Sequence, residues 1–436
     1  MSTFFCPEAL LPTGLARDVT VVTAGGRITS LTAGSAPPTD AVRLAGTVVP
    51  GFANAHSHAF HRALRGDRPD GGTFWTWRAR MYDVAGRLDP DTYYALARAT
   101  YAEMVLAGFT AVGEFHYLHH QPDGTPYADP NAMSAALIAA AAEAGIRITL
   151  LDTCYLTGGI NAPVAGVQHR FADADVDAWA ARATAFRPEG SHARTGAAIH
   201  SVRAAAPADM AAVAGSGIGP VHVHLSEQRG ENDACRAAYG VSPTQLLADS
   251  GALGPHTTAV HAVHLADADV ALLAGAGASV CCCPSTERAL ADGLAPATEL
   301  DRAGITISLG TDAHASIDPF LEMRGLEYGE RLRRERRGNF GTQALLAAAT
   351  AAGHAALGWP DAGEITVGAI ADLVAISGAG VRRSGASGMD GLVFTATAAD
   401  VTDVVASGRV VVRDSRHLLV DDVPGALVAA IAVVRR

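Results

Sequence analysis

Residues 46–58 read GTVVPGFANAHSH, an apolar run that ends in two histidines separated by one residue. Seven later stretches have the same form, an apolar run followed by polar residues: 109–120, 146–155, 194–205, 219–228, 257–265, 278–287 and 305–314. Alanine-rich stretches with helical spacing, such as 91–108 and 131–145, separate most of them. Near-continuous apolar strands suit a parallel sheet covered on both faces. Eight β-then-α units therefore predict an α/β fold, a (β/α)8 TIM barrel.

The two ends of the chain have a different pattern. Residues 1–45 contain DVTVVTAGGRITSLTAG, and residues 364–413 contain EITVGAIADLVAIS and VTDVVASGRVVVRDSRH. Short β-branched alternations with glycine turns are typical of antiparallel strands. We predict that both termini build one small β-sandwich, from residues 1–46 and 364–436, beside a metal-dependent barrel at 47–363.

Composition excludes several classes of function. The net charge of −11 leaves no basic stripe for phosphates, so we expect no nucleic-acid partner. No apolar run reaches about 18 residues, so we expect no membrane span. The start MSTFFCPEALLPTG lacks the pattern of a signal peptide, and three of the six cysteines are consecutive, unlike a disulfide framework. We therefore expect a cytoplasmic protein.

Polar residues collect at the carboxyl ends of the predicted strands. A TIM barrel carries its catalytic groups at that end, while the opposite end serves stability. The residues at this end of the predicted barrel are His56, His58, Glu114, His200, His224, Glu227, His261 and Asp312.

Four of these residues predict a metal centre. His56 and His58 are two residues apart on a strand, so they project to the same side. Alone, this pair is as compatible with core or surface histidines as with ligands. His224 and Asp312 end the fifth and eighth strands, and three nitrogens with one carboxylate leave an open position for water, as in catalytic sites. His222, one pleat deeper than His224, remains an alternative ligand. The predicted cofactor is one divalent ion, Zn²⁺, although Fe, Mn and Ni accept the same donors.

Three residues have predicted catalytic roles. Asp312 can take up a proton from water, and Glu227, three residues after His224, can move protons on the substrate side. His261 can stabilise charge as water adds, and the alternative for His261 is a core histidine with satisfied hydrogen bonds.

The chain resembles the amidohydrolase superfamily over nearly its whole length, through the HxH strand, the histidines of strands five and six and the aspartate of strand eight. Its motifs NAHSHAFHRALRG, FWTWRARMY, GEFHYLHH, HLSEQ, VHAVHL and PSTERALADG look like those of the formimidoylglutamate deiminases of histidine degradation. This resemblance implies that N-formimino-L-glutamate and water give N-formyl-L-glutamate and ammonia. It also implies a single zinc ion and a homodimer.

The resemblance also implies a set of substrate contacts. A dicarboxylate requires guanidinium donors, and an acidic chain must supply them locally. Arg78 and Arg203 match substrate-binding positions of the family, although Arg78 is also compatible with an exposed helix position. The other matching positions are His61, Tyr117 and His200.

Two departures from the family concern the substrate. The family carries Gln where this chain has His61, and an imidazole cannot present the donor and acceptor of an amide together. The loop GDRPDGGT at residues 66–73 is also short. A deaminase of another amidine, guanidine or aminopurine-like compound is therefore an alternative. A non-catalytic barrel scaffold is disfavoured, because the ligand set is complete.

Overall fold

The structure is a computed structural model that describes residues 1–66, 72 and 74–435. Most of the short loop at 66–73 thus lies outside the described residues. The strands in chain order are β1 (Ser2–Leu11), β2 (Gly14–Ala24), β3 (Arg27–Thr32), β4 (Val42–Arg43), β5 (Thr47–Pro50), β6 (Phe52–Ser57), β7 (Phe109–His116), β8 (Arg147–Cys154), β9 (Ala193–Ile199), β10 (Val221–Leu225), β11 (Thr257–His261), β12 (Ser279–Cys282), β13 (Ile307–Leu309), β14 (Leu373–Ile376), β15 (Val401–Ala406), β16 (Arg409–Arg413) and β17 (Arg416–His417).

Strands β6 to β13 form a parallel sheet in which the strands follow their sequence order. The first and last strands meet, because the backbone N–H of Asp312 donates to the carbonyl of His56 at 3.0 Å. The backbone of Ser57 also pairs with Asp312 in a parallel bridge. Each predicted apolar stretch contains one of these strands. The predicted TIM barrel is confirmed.

The terminal segments form a second sheet, as predicted for a unit built from both ends of the chain. Its strand order is β17-β16-β15-β14-β5-β1-β2-β3, with β4 beside β1. The sheet is mixed rather than purely antiparallel, because β1 runs parallel to β4 and β5. Strand β5 belongs to this sheet although it lies on the barrel side of the predicted boundary at residue 46. The boundaries between the two units, predicted at residues 46–47 and 363–364, stay a prediction.

Helices follow most barrel strands and cover the sheet. Helix α2 (Pro90–Leu106) starts at a capping box. The Asp89 carboxylate accepts from the N–H of Thr92, and the Thr92 hydroxyl accepts from the N–H of Asp89. No described helix is long and apolar enough to cross a membrane. The helices are α1 (Phe74–Ala85), α2 (Pro90–Leu106), α3 (Ala132–Ala144), α4 (Val176–Ala185), α5 (Pro207–Ala214), α6 (Arg229–Tyr239), α7 (Pro243–Asp249), α8 (Asp267–Ala276), α9 (Pro284–Ala289), α10 (Ala297–Arg302), α11 (Pro319–Arg334), α12 (Thr342–Ala349), α13 (Ala351–Ala356), α14 (Gly388–Thr395) and α15 (Val423–Val434).

The consecutive cysteines serve packing. Cys281 and Cys283 join Ala55 and Val260 in a small apolar cluster, whereas Cys282 belongs to the large core on the other face of the strand. This alternation is the strand period of two. All six cysteines are free and buried.

A buried ion pair joins the barrel to the terminal sheet. Arg147, the first residue of β8, donates from Nη1 to Asp372 Oδ1 at 2.9 Å and from Nη2 to Oδ2 at 2.5 Å. Asp372 also accepts from the Thr110 hydroxyl and the Ser407 N–H. Burial alone would raise the pKa of Asp372, but the Arg147 guanidinium outweighs burial and holds the pKa below its usual range.

We expect Asp372→Ala to lower the free energy of unfolding by about 3–5 kcal/mol, because it leaves the buried Arg147 cation without a partner. Chemical denaturation of the wild type and the variant measures this difference. The matched control is Asp361→Ala, which breaks the Arg27–Asp361 pair, where the Arg27 side chain is 49% exposed. An exposed pair contributes about 0–1 kcal/mol.

The difference in stability between the wild type and Asp372→Ala is expected to depend on pH. Because folding lowers the pKa of Asp372, the unfolded chain takes up the proton first as the pH falls. The difference in stability is therefore full at neutral pH and shrinks below about pH 4. An equal difference at pH 3 and pH 7 would contradict the ion-pair explanation.

Candidate active site

Four predicted ligands converge at the carboxyl end of the barrel. His56 and His58 end β6, His224 lies near the end of β10, and Asp312 follows β13. His224 Nε2 lies 3.2 Å from His56 Nε2 and 3.4 Å from His58 Nε2. Asp312 Oδ1 lies 3.4 Å from His56 Nε2 and 3.5 Å from His58 Nε2.

These separations fit one divalent ion. Ligands about 2.0–2.1 Å from a tetrahedral zinc ion stand about 3.3–3.4 Å apart, and these four separations of 3.2–3.5 Å are close to that value. Hydrogen bonds orient the rings, because His58 Nδ1 donates to the Phe115 carbonyl and His224 Nδ1 donates to the His200 carbonyl, both at 2.8 Å. The Nε2 lone pairs are thereby left for a metal.

Burial keeps the three imidazoles neutral. It lowers the pKa of His56 and takes those of His58 and His224 well below the usual value. Neutral imidazole is the form that binds a metal. The alternative ligand His222 lies outside this group, because its Nε2 donates to the carbonyl of Ala356 on α13 at 2.9 Å.

The backbone is strained where it presents two site residues. The φ angles of His261 and Asp312 are 71° and 42°, in the left-handed region. Such conformations cost of order 1–3 kcal/mol each and persist where the surroundings enforce them. Asn54 on β6 supplies such support, since its Oδ1 accepts from the N–H of Thr311 at 2.9 Å and its Nδ2 donates to the Thr311 hydroxyl at 2.7 Å. The sequence analysis missed Asn54.

The three predicted catalytic side chains lie together. His261 Nε2 is 3.9 Å from both Glu227 Oε1 and Asp312 Oδ2. Burial raises the pKa of Glu227 to about 7, against the opposing effect of His261. Burial also opposes the charge on Asp312, yet the neighbouring imidazoles hold its pKa well below the usual range. Glu227 can therefore both gain and lose a proton near neutral pH, while Asp312 is ionised.

His261 has a further carboxylate neighbour that the sequence analysis did not assign. Glu287 Oε1 lies 3.5 Å from His261 Nδ1 and accepts from the N–H of Cys283 at 2.7 Å. Burial lowers the pKa of His261, but the charges of Glu227 and Glu287 outweigh it and raise the pKa well above the usual value. In the sequence, Glu287 is part of the family-like motif PSTERALADG, and nothing else there indicates its contact with His261.

Glu114 supports the loop that carries His58. It accepts from the Ser57 hydroxyl at 2.8 Å and from the Ala59 N–H at 2.7 Å. Burial raises the pKa of Glu114 to about 8. Its place at a strand end was apparent in the sequence, and its contacts make it a support for the metal ligands.

A cavity of about 230 Å³ opens beside the four ligands. Hydrophobic and aromatic side chains form much of its wall, as in sites for small molecules. Trp75 and Trp77, from the motif FWTWRARMY, line the cavity. All five predicted substrate-binding residues also line it: His61, Arg78, Tyr117, His200 and Arg203.

Two of these residues form a polar pair near the metal ligands. His61 Nε2 lies 3.1 Å from the hydroxyl of Tyr117. Burial lowers the pKa of His61 to about 3, so the ring is neutral and can donate one hydrogen bond and accept another.

The guanidinium groups of Arg78 and Arg203 each contact another side chain on one side. The guanidinium of Arg78 stacks on Trp75, with Cζ 4.5 Å from the ring centroid. Arg203 Nε lies 3.1 Å from Glu231 Oε2, and Glu231 Oε1 accepts from the N–H of Ser226 at 3.0 Å. The sequence analysis missed Glu231.

Known proteins resemble this chain over nearly its whole length. The chain is 38% identical to the formimidoylglutamate deiminase of Pseudomonas aeruginosa over 96% of both chains. The structure of an amidohydrolase from Brucella melitensis superposes with a TM-score of 0.92 at 35% identity over 100% of both chains. An adenosine deaminase from Xanthomonas campestris with bound zinc superposes with a TM-score of 0.86 at 25% identity, over 99% of this chain and 97% of that one.

Two family models match the chain. Residues 1–43 match the N-terminal domain of the formimidoylglutamate deiminase HutF. Residues 47–411 match the amidohydrolase family model, and this range spans the barrel and part of the terminal sheet. On this match and on the relative from Pseudomonas aeruginosa, the chain belongs to the amidohydrolase family.

Proposed function

We propose that this protein hydrolyses N-formimino-L-glutamate to N-formyl-L-glutamate and ammonia, a step of histidine degradation. The observation that carries the proposal is that one cavity is lined both by three of the four predicted metal ligands, His58, His224 and Asp312, and by two arginines, Arg78 and Arg203. The first suits hydrolysis and the second suits a dicarboxylate. The relative from Pseudomonas aeruginosa and the N-terminal domain match support the same substrate.

His56, His58, His224 and Asp312 would hold one divalent ion, and we propose zinc. The donor set and its spacing support this assignment. When bound, such an ion supplies Lewis acidity, which makes water a usable nucleophile near neutral pH.

Asp312 and Glu227 would move the protons of the reaction. The Asp312 carboxylate accepts a proton from the attacking water. Glu227, with a pKa of about 7, gives its proton to the formimino nitrogen, then takes up the proton of the added hydroxyl and passes it to the departing amine, so that ammonia leaves as the carbonyl forms. The proton held by Asp312 then returns Glu227 to its protonated form. His261, held by Glu287, stabilises the negative charge on the attacking oxygen. Acid–base catalysis of this kind contributes about 10²–10⁴-fold.

The other residues that line the cavity would orient the substrate. Arg203 and Arg78 would each bind a carboxylate, because guanidinium groups match carboxylates in geometry and charge. His61 and Tyr117 pack against the ring of His58, and His200 packs against that of His224, so these three lining residues would contact the part of the substrate nearest the metal site.

Deamination of a different amidine, guanidine or aminopurine is the second candidate. The structural likeness to an adenosine deaminase of Xanthomonas campestris supports this second candidate. Ammonia release measured across formiminoglutamate and a panel of amidines and aminopurines separates the two. Assembly as a homodimer, which rests on the family resemblance, and a cytoplasmic location, which rests on a cysteine pattern unlike a disulfide framework, are further parts of the proposal.

We expect Glu227→Gln to lower kcat by about 10²–10⁴-fold, because the amide cannot carry a proton between water and the leaving amine. Coupled measurement of ammonia release gives kcat, and elemental analysis gives the metal content, which we expect to stay at the wild-type level. Turnover near that of the wild type would show that Glu227 is not the proton shuttle.

We expect Arg203→Ala and Arg78→Ala to raise KM for formiminoglutamate by about 10–150-fold each, the equivalent of a lost charged hydrogen bond of about 1.5–3 kcal/mol. Arg98→Ala is the matched control, since Arg98 pairs with Glu143 on the helical surface away from the cavity. Steady-state kinetics measure the effect. An unchanged KM in both cavity variants would argue against a dicarboxylate substrate.

A further inference from the structure

Two tyrosine hydroxyls lie beside Arg203 in the cavity. Tyr155 follows the end of β8 and Tyr82 lies on α1, and both line the cavity with Arg203. Tyr155 is buried, at 4% exposure. Neither tyrosine has a role in the sequence analysis or in the mechanism above.

One glutamine fixes the direction of the tyrosine protons. Gln168 Oε1 accepts from the N–H of Ala165 at 3.0 Å, which sets the orientation of the amide. Gln168 Nε2 therefore donates to the hydroxyl oxygen of Tyr155 at 2.8 Å and faces that of Tyr82 at 3.3 Å. A hydroxyl that accepts a hydrogen bond keeps its own proton for donation.

The hydroxyls of Tyr155 and Tyr82 share one hydrogen bond, and both accept from Gln168. Within residues 1–66, 72 and 74–435, this pair of hydroxyls therefore keeps one proton that has no acceptor in the protein. Burial raises the pKa of Tyr155, so the hydroxyl is protonated at neutral pH. A buried donor without an acceptor is costly, and an anion in the cavity would satisfy it.

Arg203 presents its charge to the same space. Glu231 occupies the Nε side of the guanidinium. In the described part of the chain, neither Nη nitrogen of Arg203 has a hydrogen-bond or ion-pair partner. The two Nη groups are the end of the fork that binds a carboxylate with two parallel hydrogen bonds. A carboxylate offers about four acceptor positions, so a third donor can also be accommodated.

We propose that the Tyr155 hydroxyl donates to the substrate carboxylate that Arg203 binds, and that Gln168 is the positioning residue that directs this hydroxyl. The inference rests on the proposed function, because it assumes a substrate with carboxylates. It adds one substrate contact and one residue that acts through it. In this subsite Tyr82 donates to the Tyr155 hydroxyl, which leaves the Tyr155 proton for the carboxylate.

We expect Tyr155→Phe to raise KM for formiminoglutamate about 10-fold or more and to leave kcat within a few-fold, because a contact equal in ground and transition state affects KM. Tyr127→Phe is the matched control, since its hydroxyl accepts from Arg170 outside the cavity. Steady-state kinetics of ammonia release measure both variants.

Substrates that lack one carboxylate separate a direct contact from a general defect. In N-formimino-4-aminobutyrate the α-carboxylate is missing, and in N-formimino-L-2-aminobutyrate the side-chain carboxylate is missing. We expect the Tyr155→Phe penalty to persist with one of them and to vanish with the other, because Tyr155 contacts one carboxylate. Equal penalties for both would overturn the inference.

The role of Gln168 has its own test. We expect Gln168→Met to raise KM a few-fold in the wild type and to have no further effect on KM in Tyr155→Phe, since Gln168 acts through the hydroxyl. Additive effects would overturn the positioning role. Wild-type turnover of formiminoglutamate with an unchanged KM in Tyr155→Phe would overturn this inference alone. Absence of wild-type turnover would overturn the proposed function as well.

Discussion

The structure depends on three neutral imidazoles and one carboxylate that face one another at the mouth of a closed barrel. Four of the distances between their donor atoms are 3.2–3.5 Å, and the side chains are buried. Lone pairs this close repel one another, and without a cation between them the arrangement is costly. The hydrogen bonds that fix the Nδ1 atoms of His58 and His224 leave no other use for their Nε2 atoms. This geometry supports the proposed metal site, in which a bound cation would hold the four donors together.

Barrel closure makes this arrangement possible. The backbone carbonyl of His56 accepts from the N–H groups of Thr311 and Asp312, so the ligand of the last strand is tied directly to a ligand of the first. Asn54 strengthens the same seam and helps to hold Asp312 in its left-handed conformation. Far from this end, the Arg147–Asp372 pair joins the barrel to the terminal sheet. Stability and chemistry thus occupy opposite ends of the strands, as in other TIM barrels.

Much of this was predictable from the sequence, because carboxyl ends of parallel strands meet at one edge and strand residues alternate faces. The eight strands and the convergence of the four ligands follow from local patterns. Glu231, Glu287 and Gln168 were not found, since each acts through a partner that is distant in sequence or hidden in a loop. The parallel pairing of β1 with β4 and β5 also escaped prediction, because it depends on where distant segments meet rather than on their local pattern. Periodicity reveals which face a residue occupies, and it does not reveal a residue's partner.

The most direct test of this account is metal titration of chelator-treated protein, with the ion located by anomalous X-ray scattering. We expect one divalent ion per chain, within about 2.0–2.2 Å of nitrogens of His56, His58 and His224 and an oxygen of Asp312, and recovery of activity as the site fills. A fully active protein that binds no ion there, or an ion bound at other residues, would contradict the account.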